Sequence, residues 1–170
     1  MTERRIKLAP PRNQGAGLGE LGVMGDTLPK TDGASEDRPR LLIADDDREM
    51  LALLSSTFIH AGYEVVESAN GTEVLNLLRA STADNGRLDL AVLDINMPGL
   101  SGLQILGWIR RSSATMPVIL ITAFGSPQLH EHAQRLGATK VFDKPFSLMD
   151  LLDFVGTALA SPAPSGRGLG

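Results

Sequence analysis

Residues 41–50 read LLIADDDREM: four apolar side chains, then three aspartates in a row, Asp45, Asp46 and Asp47. A short continuous apolar run marks a strand covered on both faces, as in a parallel sheet. The acids that follow are out of keeping with it. Two carboxylates about 4 Å apart repel by roughly 1 kcal/mol in water and by several times that near a protein interior. Something beside them is therefore expected to repay that cost.

Working outward, the same alternation of strand and helix recurs over residues 40–160. Met50, Leu54 and Phe58, widened by Leu51 and Ile59, form a helical stripe that stops at Gly62. A second strand is expected at Tyr63–Glu67, a helix at Thr72–Arg79, a third strand at Leu90–Leu93 and a helix at Leu103–Arg111. Pro117 opens a fourth strand, Val118–Ile121. Ser126 and Pro127 then supply a cap and first turn for a helix with Leu129, Ala133 and Leu136 inward, closed by Gly137. A fifth strand lies near Thr139–Phe142, and Ser147 to Asp150 resembles a capping box ahead of Leu148, Leu151, Leu152, Val155 and Leu159. Five strand–helix units with short connections imply a parallel sheet with helices on both faces.

The flanks differ in kind. Residues 1–39 hold six Gly and four Pro without apolar rhythm and read as a disordered leader, and residues 161–170, SPAPSGRGLG, as a flexible tail. The leader contains GLGELG at 17–22, which matches a dinucleotide-binding pattern. It neither follows a strand nor opens a helix, so it reads as linker. The chain has 170 residues, no cysteine and a formal charge of −4. Disulfides, thiolate zinc sites and cysteine nucleophiles are thereby excluded. Residues 41–170 carry nine basic and fourteen acidic groups, which argues against direct nucleic-acid binding. The positive start lacks the apolar run of a signal peptide, and no stretch is long and apolar enough to span a membrane. A soluble cytoplasmic protein is expected.

In open parallel sheets, ligands bind outside the carboxyl ends of the strands. That rim collects the polar residues that break the pattern. Asp45 and Asp46 end the first strand, Asp94 the third, Thr122 the fourth and Lys144 the fifth. Carboxylates without His or Cys form a hard oxygen site suited to Mg²⁺, which takes one or two carboxylates and completes its shell with water and phosphate oxygens. Such an ion would turn the repulsion into attraction. Lys144 adds a flexible cation and Thr122 a hydroxyl donor, groups that neutralise a transferring phosphoryl. One carboxylate can then act as nucleophile and form an acyl phosphate.

The segments LLIADDD, LAVLDINMPGLSG, VILITA and VFDKPF, in this order and spacing, resemble the receiver domain of two-component response regulators. The resemblance covers about residues 40–160. It implies a flavodoxin-like α/β fold, a doubly wound five-stranded parallel sheet in the order 2-1-3-4-5. By the same resemblance Asp94 is the phosphoacceptor, served by the phosphohistidine of a sensor histidine kinase or phosphotransfer protein. Asp45 and Asp46 are the acidic pair for Mg²⁺, with Asp94 and the backbone carbonyl of Asn96 as further ligands. Thr122 hydrogen-bonds the phosphoryl group, the small Ala123 leaves it room, and Lys144, ahead of a cis Pro145, pairs with it. A stand-alone receiver signalling through a downstream protein partner is the expectation, by the face of the last two helices and fifth strand, with catalysis limited to its own phosphotransfer and dephosphorylation.

One position departs from that pattern. Receivers carry Tyr or Phe three residues before the lysine, and here Val141 stands there with Phe142 next. Successive strand residues face opposite sides, so Phe142 cannot substitute; Val141 marks a modified switch. The alternative function is a phosphatase of haloacid dehalogenase type, which also uses a strand-end Asp, Mg²⁺, Thr and Lys. Those enzymes want a second acid two residues after the nucleophile, where this chain has Asn96. His130 and His132 read as solvated helix surface, His60 and the acids Asp47 and Glu49 as favourable to helix ends, Trp108 as packing, and Asp143 as outside the site.

Overall fold

The computed structural model describes residues 38–83, 86–112 and 115–161. The leader up to residue 37, its GLGELG motif, and the tail beyond Ser161 lie outside the described residues. Five strands, β1 (Arg40–Ala44), β2 (Glu64–Ser68), β3 (Leu90–Asp94), β4 (Val118–Thr122) and β5 (Lys140–Asp143), alternate with helices α1 (Arg48–His60), α2 (Gly71–Ala83), α3 (Gly102–Arg111), α4 (Pro127–Arg135) and α5 (Leu148–Ala160). All strand pairs are parallel, in the order β2-β1-β3-β4-β5.

Alternation along each strand sorts the core into two layers. Leu41, Ile43, Leu90, Val92, Ile119 and Ile121 face α1 and α5, packing on Leu54, Phe58, Leu151 and Val155. Leu42, Ala91, Leu93, Val118 and Leu120 face the other way, onto Val74, Leu78, Ile105, Ile109 and Ala133 of α2, α3 and α4. Every residue of β3 and β4 is buried, which explains why those strands read as unbroken apolar runs.

Register then sets the rim. Ala44 pairs with Leu93, so Asp45 and Asp94 leave the sheet side by side, and Thr122 pairs with Asp143, one residue before Lys144. The helices start where their caps dictate. Asp47 accepts from the amides of Glu49 and Met50, and Ser126 accepts from Leu129 with Pro127 at the first position. Gly62 and Gly137 follow α1 and α4 at φ 95°, a conformation that costs a side-chained residue energy.

Strand ends fall within one residue of expectation, and two helix features differ more. α2 runs to Ala83 rather than Arg79: no Gly or Pro interrupts residues 80–83, and Ser81 Oγ donates back to Leu78 O at 2.9 Å. The Ser147 hydroxyl accepts from Asp150 N at 3.2 Å, whereas the reciprocal capping box is formed by Ser101 and Gln104 at the start of α3. Far from the rim, Arg110 fastens α3 to two loops: Nη2 donates to Gly137 O at 2.7 Å and Nη1 to Met116 O at 2.9 Å. Burial lowers its pKa from the ordinary arginine value.

Candidate functional site

The three successive aspartates divide into three roles. Asp45 is fully buried: Oδ1 accepts from Asp47 N at 2.9 Å and Oδ2 from Lys144 Nζ at 2.7 Å. Asp46 is exposed. Asp47 turns its carboxylate onto α1 as the N-cap. The chain thus spreads the three charges over core, rim and helix end, which lowers the repulsion the run would otherwise carry.

Lys144 is the centre of the arrangement. Its ammonium lies 2.7 Å from Asp45 Oδ2 and 2.8 Å from Asp94 Oδ1, and both carboxylates are almost inaccessible to solvent. Burial alone would lower the Lys144 pKa; hydrogen bonds to Asp45 and Asp94 and the charges of the two acids outweigh it and raise the value above the ordinary 10.5. A fixed cation is therefore already in contact with the acids. Two carboxylates still share one ammonium, so the cluster keeps a net negative charge before Asp46 is counted.

Asp94 closes β3, and its second oxygen accepts from Asn96 N at 2.6 Å. Each of its oxygens thus holds one donor and retains a free lone pair. Thr122, fully buried at the end of β4, accepts on Oγ1 from Phe124 N at 3.1 Å, and its carbonyl accepts from Lys144 N at 2.7 Å. Ala123 beside it is exposed. Asp45, Asp94 and Lys144 are in direct contact, Asn96 reaches them through its amide, and Thr122 is joined to Lys144 through the backbone. The Lys144–Pro145 peptide is cis.

Among the described residues, no group of three or more His, Cys, Asp or Glu side chains closes on a common point for a metal. A convergent triad of acids is not what Mg²⁺ requires, since one or two carboxylates suffice and water or phosphate oxygen fills the rest. The donor set fits that ion: all oxygen, net negative and open to water at Asp46.

Val141 and Phe142 lie on opposite faces as the strand alternation demands. Val141, 8% exposed, belongs to the layer under α2, α3 and α4. Phe142 packs with Phe146 and Phe154 at ring separations of 5.9 and 6.0 Å on the α1 and α5 side. His130 lies at the partly exposed helix surface, with a partner the sequence reading did not show: its Nε2 lies 2.9 Å from Asp143 Oδ1. Alternation held the signal for this contact, because Asp143 shares Val141's side of β5, where α4 lies.

A family model described as the response regulator receiver domain matches residues 41–156. The chain belongs to this family. As a receiver domain it shares 32% identity over 116 residues with sporulation initiation phosphotransferase F of Bacillus subtilis, covering 68% of this chain and 90% of that protein. The response regulator protein FleR of Pseudomonas aeruginosa is 35% identical over 116 residues, 68% of this chain and 24% of FleR. The solved response regulator TrrA of Thermotoga maritima, in complex with Mg²⁺ and BeF, superimposes with a TM-score of 0.61 at 31% identity, covering 71% of this chain and 98% of TrrA. This receiver domain also spans about half the length of several transcriptional regulatory proteins. Those relatives lend no support to the expectation that nucleic acid is excluded as a partner. Membership implies a kinase or phosphotransfer partner, and among the described residues no helix is long and apolar enough to cross a membrane.

Proposed function

We propose that this receiver domain is a phosphorylation-dependent switch in which Asp94 accepts a phosphoryl group from the phosphohistidine of a sensor histidine kinase or phosphotransfer protein. The observation that carries this reading is the Lys144 ammonium shared by Asp45 Oδ2 and Asp94 Oδ1 at the carboxyl rim. An Asp94 oxygen attacks phosphorus, the P–O bond forms as the P–N bond to imidazole breaks, and the donor ring departs with the electron pair. The incoming group brings two to three charged oxygens. Lys144 turns part of its attraction from the carboxylates to those oxygens, the Thr122 hydroxyl donates a hydrogen bond to another, and the small methyl of Ala123 leaves the approach open.

Asp45, Asp46, Asp94 and the Asn96 carbonyl are the groups that would hold Mg²⁺. When bound, that ion supplies positive charge against the phosphoryl oxygens and the acids. Water later hydrolyses the acyl phosphate, so the chain catalyses its own phosphotransfer and dephosphorylation. Output passes to a downstream protein through the face of α4, β5 and α5, with Val141 marking a modified switch. A Val141→Tyr variant that binds that partner as the parent does, with and without phosphoryl mimic, would count against the last point.

Acetyl phosphate with Mg²⁺ tests the reading. Intact mass is expected to show one phosphoryl group per chain, lost in Asp94→Asn. Sustained turnover of a phosphate monoester would instead favour a phosphatase.

A further inference from the structure

Residues Ile95 to Ser101 join β3 to α3, and the Asn96 carbonyl proposed above as a Mg²⁺ ligand sits among them. A backbone carbonyl cannot reorient by rotating a side chain, so its aim depends on how the whole loop is held. Mg²⁺ tolerates little error, since it demands near-ideal octahedral geometry. A directed hold comes from outside the loop. Pro98 O accepts at 3.0 Å from the amide of Gly71, the first residue of α2. A methyl group at Gly71 would overlap the Leu100 carbonyl, and one at Gly99, φ 81°, would press on Thr72 Oγ1. Loop and helix start are therefore packed backbone to backbone.

The same turn reaches the acids. Ser68 ends β2 beside Ala44, is 3% exposed, and its carbonyl accepts from Asp45 N at 3.2 Å. Its hydroxyl lies 2.7 Å from Glu73 Oε2 and 3.0 Å from Asn70 O. A hydroxyl has one proton, and the shorter contact, to a charged oxygen, takes it. Asn70 N donates to the Ser68 hydroxyl oxygen at 3.2 Å, while Asn70 Oδ1 accepts from Thr72 N at 2.7 Å. Glu73, in the first turn of α2, thus fastens the end of β2 to the helix start. The turn from Ser68 to Gly71 meets the Asp45 backbone at one end and the Asn96 loop at the other.

We propose that Ser68, Gly71 and Glu73 are positioning residues for the cation half of the site: they fix the Asp45–Asp46 segment and the Asn96 loop relative to one another, so that the donors for Mg²⁺ are arranged before the ion arrives. This rests on the Mg²⁺ reading above. Thr122 and Lys144 are joined instead by the bond from Lys144 N to Thr122 O, between β4 and the end of β5, so the phosphoryl half is set separately. Outer groups that orient metal ligands typically govern about ten- to hundredfold in affinity. Glu73 is exposed, so it can be changed without opening the core.

Mg²⁺ titration of the full chain, followed by amide chemical shifts at Asp94–Met97, tests the proposal. Glu73→Ala is expected to raise the Mg²⁺ dissociation constant about tenfold, whereas Glu73→Gln, which keeps an oxygen acceptor for Ser68, stays within about twofold of the parent. Ser68→Ala should match Glu73→Ala, and the double variant should add nothing further. Gly71→Ala, which drives the Leu100 carbonyl away, should weaken Mg²⁺ at least as much. With acetyl phosphate, the Mg²⁺ concentration giving half the maximal phosphorylation rate should rise about tenfold in Glu73→Ala, while the rate at saturating Mg²⁺ is unchanged. Unchanged affinity in Glu73→Ala, equal weakening in Glu73→Gln, full additivity in the double variant, or a saturating rate that falls in step with affinity overturns the positioning role. A parent whose Asp94–Met97 shifts do not respond to Mg²⁺ contradicts the metal reading itself, and the positioning role falls with it.

Discussion

The two rims of the sheet carry the same kinds of charged side chain and treat them in opposite ways. At the amino rim, Arg40 Nε meets Glu64 Oε1 at 3.0 Å with the side chains 34% and 53% exposed, and Arg87 Nε meets Asp89 Oδ1 at 3.0 Å with Arg87 86% exposed. Water screens the Arg87 pair and the exposed Glu64 end of the Arg40 pair, and such part-exposed pairs contribute about 0–1 kcal/mol. At the carboxyl rim, Lys144 meets Asp45 and Asp94 with the acids 1% and 4% exposed. There desolvation costs several kcal/mol per ion and one cation serves two anions, so the cluster is a poor device for stability. Charges kept where they cost most support the proposed phosphoryl chemistry, and the rim they occupy is the one where open sheets bind ligands.

The sharpest way to break this contrast is to remove the cation. In Lys144→Ala, two nearly inaccessible carboxylates lose their shared partner, and urea unfolding in EDTA should show a loss of about 3 kcal/mol, partly restored by Mg²⁺. A loss as small as that of an exposed pair would erase the difference between the rims. The pH dependence follows with its sign fixed. Because the folded-state pKa of Lys144 is raised above 10.5, its stabilisation is fully present below that value and disappears as pH climbs through the higher folded pKa. The stability gap between parent and Lys144→Met should therefore be flat from about pH 7 to 9 and narrow only above about 10.5.

Neutralising an acid should act in the other direction. Asp94→Asn leaves one carboxylate for one ammonium and is expected to stabilise the resting fold in EDTA by about 1 kcal/mol while abolishing phosphorylation. Destabilisation of that variant would show that the acids are not in conflict. The smallest effect belongs to the amino rim: Arg87→Ala should change stability by less than about 0.5 kcal/mol and leave phosphorylation by acetyl phosphate unchanged.

Much of this arrangement was legible in the chain. Runs such as VILIT and LAVLD are long enough and apolar enough to be buried strands, and their polar endings point to one rim whatever the exact boundaries. What the residues could not say is which of three adjacent acids turns inward, because that depends on the register that sets Ala44 beside Leu93 and on the cap that α1 takes from Asp47. Nor could they place the countercharge. A bound cation was the expected answer to the Asp45–Asp47 run, whereas Lys144, 99 residues away from Asp45, is already in hydrogen-bond contact with it. The His130–Asp143 pair escaped for a related reason. Its partners sit on elements whose packing angle decides the contact, and a helix stripe built from Leu129, Ala133 and Leu136 says nothing about a histidine at its edge.

The most direct test of the central claim is to locate the phosphoryl group by tandem mass spectrometry after acetyl phosphate treatment of the full chain, with Mg²⁺ and with EDTA. The account predicts a single modified residue, Asp94, in the first sample and none in the second. Modification of Asp45, Asp46 or a histidine in place of Asp94, or equal labelling in EDTA, would contradict it.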